Sequence, residues 1–328
     1  MRCRAAHIRH PHFITMSAHI IPHQTGEWLS FHGIPVEIIA SSAFTQNRYT
    51  LCRGFARAGV GTPPHRHSFA EAFYVLSGAV AFRAGGDVVT LGAGDFLHVP
   101  GGVAHQPMTA GDGHCELLVL CAPGGFDAFQ RETGLPAPGP DGPFPHDPDF
   151  PAKAAAAASR HGIEVPVAES EFTGASGVVV RRRGEGRRVA TAGDIYTFIA
   201  AGAETGGAFS LLHAIVPPGG GPPPHTHTRE DEAFYVLSGC LAIYDDTTRH
   251  EAGPGTFIHL PRDGRHRFTN EFAEPAEMLV LALPAGFEQM LAEVGQPWPD
   301  ATAPAPPPSS AEKTRLAQLA QKYGVRLG

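Results

Sequence analysis

Six histidines and two glutamates fall into two sets of one spacing: His65, His67, Glu71 and His105, then His225, His227, Glu232 and His266, displaced by 160 or 161 residues. Successive side chains on a strand point to opposite faces, so the two imidazoles of His65-Arg66-His67 share a face. A carboxylate soon after and a third imidazole from another strand complete three nitrogens and one oxygen. Such a set suits a divalent transition metal: iron, manganese, cobalt, nickel, copper or zinc. A closed structural zinc site more often uses thiolates, and none of Cys3, Cys52, Cys115, Cys121 and Cys240 falls in the pattern.

The stretch around the ligands is repeated as well. Glu-Ala-Phe-Tyr-Val-Leu-Ser-Gly occupies 71–78 and again 232–239, so the chain is an internal duplication. Three residues separate His67 from Glu71, but four separate His227 from Glu232. Within one strand that slip would turn the carboxylate to the wrong face. The extra residue must therefore sit in a turn, between 68 and 70 in the first copy and between 228 and 231 in the second, with each glutamate opening a new strand. Phe73 and Val75 then share the inward face of Glu71 and are candidate pocket residues. Arg53 and His213 hold equivalent places on the strand leading into each ligand set and are candidates for the pocket mouth; the alternative puts their heads in water at the rim. His98 and His259 are read as structural.

With these residues in place, the sequence resembles the cupin superfamily. Its first motif is matched by Gly59, His65, His67, Glu71 and Gly78, and again by Gly219, His225, His227, Glu232 and Gly239. Its second is matched by Gly94, Pro100, Gly102 and His105, with Thr109 where asparagine is usual, and by Gly255, Pro261, His266 and Asn270, with Asp263 in the place of the turn glycine. Within that superfamily residues 28–328 resemble the two-domain quercetin 2,3-dioxygenases, with Pro-Gly-Gly-Phe at 123–126 and Pro-Ala-Gly-Phe at 284–287. The resemblance implies an all-β fold of two jelly-roll-like barrels in tandem, each followed by short helices. It implies one divalent metal per barrel, a small and aromatic or flavonol-like substrate, dioxygen as co-substrate, Glu71 and Glu232 as general bases, and a homodimer. A non-oxidative cupin enzyme, an isomerase or decarboxylase, would use the same ligands without consuming oxygen; a non-catalytic binding protein is the third reading.

Composition agrees. The 328 residues leave room for two domains, set at 28–168 and 169–328, after an N-terminal extension, 1–27, read as disordered or as a start-site artefact with Met16 an alternative start. Thirty-nine glycines and 31 prolines favour short strands and tight turns. A formal charge of −7 argues against nucleic acid and anionic membrane surfaces as partners. An odd number of scattered cysteines fits a reducing, cytoplasmic setting. Helices are expected at 126–133, 152–161, 287–294 and 311–323, the last opened by a capping box of Ser309 and Glu312. The arginines at 181–183 and 187–188 are read as solvated or as bridges between barrels.

Overall fold

The computed structural model describes residues 17–56, 61–109, 114–172, 177–246, 248–299 and 305–328. Gly59 and the segment 1–16 lie outside the described residues. Each half is a jelly-roll-like pair of facing sheets. In the first half the larger sheet runs, edge to edge, through Leu135–Pro136, Glu27–Phe31, Ile34–Ala40, Thr50–Ala56, Cys115–Ala122, Ala70–Ser77, Phe96–Val99 and Val179–Arg181. The second half repeats the order with Gln296–Pro297, Arg188–Thr191, Asp194–Ala200, Ser210–Val216, Ala276–Leu283, Asp231–Ser238, Phe257–Leu260 and His19–Ile21.

The last strand of each sheet comes from the other side of the repeat. His19 pairs with His259 in the second half, and Val179 pairs with His98 in the first. Each half therefore covers the other's open edge, which would otherwise present unpaired backbone groups. This corrects the expected extension: residues 17–27 are ordered and carry a strand of the second half's sheet. The division at 168/169 remains our proposal for chain order, with one strand crossing it in each direction.

Helices follow each half where the sequence places them: α1 at Phe126–Thr133, α2 at Phe150–Ala158, α3 at Phe287–Val294 and α4 at Ser310–Lys322. The segment after α2 ends at Gly162 and that after α4 turns at Gly324, both in the left-handed region. The expected capping box at α4 forms by half. Ser309 Oγ accepts from the Glu312 amide, but Glu312 Oε1 accepts from the Ala192 amide and ties α4 to the barrel instead.

The repeated octapeptide is apolar on both faces because both faces are buried. Phe73 and Val75 face the interior of their own half, while Ala72 and Tyr74 join a core shared between the halves. That shared core is built from matching pairs, among them Leu51 with Leu211, Tyr74 with Tyr235, Phe96 with Phe257 and Leu118 with Leu279. Burying one such side chain contributes about 1.5–3 kcal/mol, so the halves pack as one unit. His98 and His259 lie on this side and not in the pockets. His259 Nδ1 is 2.8 Å from the Tyr49 hydroxyl, and His98 packs edge-on to Phe209. Two of the arginines bridge: Arg182 pairs with Asp95, and Arg181 with Glu204, whereas Arg187 and Arg188 bond within the second half, to the Ala292 carbonyl and to Thr197 Oγ1. Gly78 closes the octapeptide at φ 73°, where a Cβ would lie 1.9 Å from the His114 carbonyl oxygen.

Candidate metal centres

The turn expected between the ligand histidines and the glutamate is present in both halves. Arg66–His67 and Ala70–Ser77 are separate strands, as are His225–His227 and Asp231–Ser238. The extra residue of the second copy is absorbed between them, and both glutamates face inward. His65 and His105 exchange backbone hydrogen bonds of 3.0 and 2.9 Å, and His225 pairs with His266 in the same manner. In each set the four donor atoms lie within 4.8 Å of one another. Asp263 keeps the second turn intact despite the missing glycine. It adopts φ 64° where Gly102 has 85°, and its amide donates to the His227 carbonyl as Gly102's does to that of His67, at 2.7 Å in both.

The imidazoles are oriented for a cation. The Nδ1 atoms of His65, His67 and His105 lie 2.9, 2.8 and 2.9 Å from the carbonyls of Pro63, Phe69 and Val103. A carbonyl accepts, so each Nδ1 carries the proton and each Nε2 keeps its lone pair for the centre. His225 and His266 repeat this with Pro223 and Gly264. His227 differs, because its Nδ1 lies 2.7 Å from a carboxylate oxygen of Glu230. Glu71 Oε2 sits 3.0 Å from His67 Nε2 and 2.9 Å from His105 Nε2; Glu232 Oε2 sits 3.0 Å from His266 Nε2.

Burial pushes His65 and His225 down to about 3, so both are neutral ligands at ordinary pH. Burial alone would raise the two glutamates. With a proton on Nε2 as well, the imidazoles of His105 and His67 outweigh it at Glu71 and hold it below the usual carboxylate range. At Glu232 the charge of His227 and, when its Nε2 also carries a proton, the bond from His266 bring it down to about 2. Burial lowers His227 too, but Glu232 and Glu230 outweigh it and raise the imidazole. Three imidazoles and a carboxylate, buried, convergent and with their protons turned outward, fit a divalent transition metal in each half.

A cupin domain model matches this chain twice, over residues 55–121 and 212–282, each match containing one full ligand set. Each half is a cupin domain. A curated relative, a quercetin 2,3-dioxygenase of Bacillus subtilis (strain 168), is 23% identical over 286 residues, covering 83% of this chain and 84% of its own. Among solved structures, an oxalate decarboxylase from Bacillus subtilis at pH 4.6 aligns at TM-score 0.53 and 15% identity, over 82% of this chain and 76% of that one. The coconut allergen cocosin aligns at TM-score 0.56 and 11% identity, over 82% and 86%. These likenesses establish the fold that the strand order describes.

The two cupin centres open onto different cavities. The first, about 110 Å³, is lined by His65 and Glu71 with Phe31, Val36, Phe73 and Phe126, and reaches the surface near Gly61 and Thr62. The second, about 50 Å³, contains His225 and Glu232 beneath Phe287, Leu316, Ala320 and Leu327. Its cover is the C-terminal segment, whose strand Val325–Leu327 pairs directly with His225–His227. All four ligands are buried in the second centre, whereas His65 is partly exposed in the first.

Of the pocket residues expected from sequence, Phe73 lines the first cavity. Val75 shares its face but lies fully buried in the barrel core, past the cavity. Arg53 does not reach the cavity either. It is 1% exposed and ion-paired with Glu37 at 2.6 Å and Glu116 at 3.1 Å, because its strand position faces away from the ligands. His213 faces the cleft between the halves and lies 2.9 Å from Glu277. Three residues escaped the motif reading. Glu230 was visible as the extra turn residue, Cys121 has its sulfur 3.9 Å from Glu71 Oε1, and Tyr196 lines the second cavity. Aligning the two copies exposes the last two: Cys121 faces Ala282 across the repeat, and Tyr196 faces Val36.

Proposed function

We propose that this bicupin is a metal-dependent dioxygenase acting in its first centre on a small aromatic enol or phenol of flavonol type. The observation that carries the reading is an intact set of three histidines and one glutamate at the floor of a largely apolar cavity with an open mouth. The similarity to a quercetin 2,3-dioxygenase over most of both chains supports it. A bound divalent metal supplies Lewis-acid activation of the substrate oxygen and a place for dioxygen. The chain's own residues do the rest. Phe73 and Phe126 flank the ring and exclude water. Glu71 is the general base: its carboxylate lines the cavity beside His65, where it receives the enol proton. The Cys121 thiol, 3.9 Å from Oε1, braces the carboxylate on the side away from the imidazoles. Loss of the proton leaves an electron-rich ring that dioxygen cleaves at the carbon bearing the enol.

Glu232 is the counterpart base in the second centre, and the chain acts as a homodimer, as the resemblance implies; sedimentation of the purified protein checks the latter. Among the described residues no helix is long and apolar enough to cross a membrane. The deciding experiment is an oxygen-electrode assay of metal-analysed protein with flavonols and simpler enols. Stoichiometric oxygen uptake with ring-opened product is expected. Release of carbon dioxide from a carboxylate substrate without net oxygen uptake would replace this reading with a decarboxylase, and metal without any turnover would leave a binding protein.

A further inference from the structure

The first cavity carries a carboxamide that its twin lacks. Gln130 lines it, one turn after Phe126 on the same face of α1, and is 3% exposed. The equivalent residue of α3 is Leu291, which lines the second cavity. Gln130 is held by its oxygen, because the Cys52 thiol donates to Oε1 at 3.3 Å. Burial, with the charges of Asp127 and Glu71, keeps that thiol protonated, so it remains a donor. The second half has Leu212 in place of Cys52, so the amide and its holder are both peculiar to the first half. With Oε1 turned to the thiol, Nε2 and its two protons have no hydrogen-bond partner among the described residues. Most of the remaining wall is apolar, Phe31, Val36, Phe73 and Val119 among it. An unmatched amide in such a wall costs free energy that an acceptor atom on a ligand recovers.

We infer that Gln130 is a ligand-contacting residue of the first centre: one oxygen of the substrate meets the cation held by His65, His67, Glu71 and His105, and Gln130 Nε2 donates a hydrogen bond to a second oxygen on the side facing α1. Cys52 is a positioning residue that acts through Gln130 Oε1. The substrate class narrows accordingly, to an aromatic enol or phenol that carries a separate carbonyl or ether oxygen. A ligand without that oxygen leaves the buried donor unmatched, and this mismatch is what discriminates. The second centre, with Leu291 and Leu212 at these positions, has no such preference. The inference rests on the reading that the first centre takes small aromatic enols or phenols, and not on what dioxygen does to them.

The test measures binding without turnover, under argon, in the full-length chain loaded with cobalt(II), with the second centre removed by His225→Ala and His227→Ala. The probes are meta- and para-hydroxyacetophenone, each set against the ethylphenol of the same shape that lacks the carbonyl oxygen. Titration is followed by the visible absorption of the cobalt. Gln130→Met keeps the length of the side chain and removes the donor. It should lower the ketone-to-ethylphenol affinity ratio about 3- to 10-fold for at least one pair, the range for one neutral hydrogen bond, with ethylphenol affinity and cobalt content as in the parent. The greater acidity of the ketones is common to parent and variant and cancels in this cycle. Cys52→Ala should lower the ratio by less. A ratio unaltered by Gln130→Met for both pairs, an equal loss for ketone and ethylphenol, or no binding by any of the probes would each overturn the inference. Ketones that bind in the expected way but cause no oxygen uptake in air would overturn the dioxygenase reading alone.

Discussion

The first and second centres have the same four ligands in the same strand positions, yet their surroundings have parted. The first keeps aliphatic and aromatic walls, an open side at His65 and a thiol behind its glutamate. The second is roofed by α4 and the strand Val325–Leu327, has its His227 gripped by a carboxylate, and carries a buried phenol. Ligand geometry was thus held fixed while the layer behind the ligands and the walls diverged. That layer decides what each cation can do. The metal sets mark what the halves share, and the cavities mark where their chemistry differs.

The largest effect should come from the glutamates. With an aromatic substrate, Glu71→Ala should lower kcat by about 10²- to 10⁴-fold, the range for a general base, while metal content falls far less; Glu232→Ala should change kcat by no more than about twofold on the same scale. Equal losses from both variants would erase the functional distinction between the centres. Next is Arg53, whose equivalent is His213. Arg53→Met leaves Glu37 buried without its cation and should cost about 3–5 kcal/mol in denaturant unfolding. His213→Gln, at a half-buried pair with Glu277, should cost less than about 1 kcal/mol. Similar costs would mean the two positions do the same work.

A third comparison isolates the imidazole supports. Glu230→Gln should weaken metal retention at the second centre by about 10- to 100-fold in a chelator competition, with the first centre unaffected because Phe69 offers His67 a backbone carbonyl instead. The smallest expected change is at the bracing thiol. Cys121→Ala, which installs the residue found at Ala282, should reduce kcat by about two- to tenfold, as for loss of one weak hydrogen bond, and Cys121→Ser should restore part of it.

Much of this was legible in the linear chain because it depends on local periodicity. Two histidines one residue apart must share a strand face, and a one-residue mismatch before the glutamate must be taken up in a turn. The octapeptide, the helices after each half and the ligands follow from such rules. Arg53 and Val75 show where they stop. The strand carrying Arg53 is buried on both sides, so alternation tells which residues are together but not which side holds the ligands. Val75 lies on the correct side but too far along the strand, a matter of depth that periodicity does not encode. The exchanged strands His19–Ile21 and Val179–Arg181 pair with residues far off in sequence, and nothing local announces it. Apolar character at His19-Ile20-Ile21 was the only hint.

That exchange has a consequence for how such a chain could arise. A single half, expressed alone, would leave the strand Phe96–Val99 with a bare backbone margin and a short arm in search of one. Two identical copies would relieve each other by trading arms about a dyad, and the matched residues of the shared core have the same mutual symmetry. Fusing the partners end to end makes that embrace unimolecular, after which either centre is free to lose or gain a task while its sibling keeps the original one.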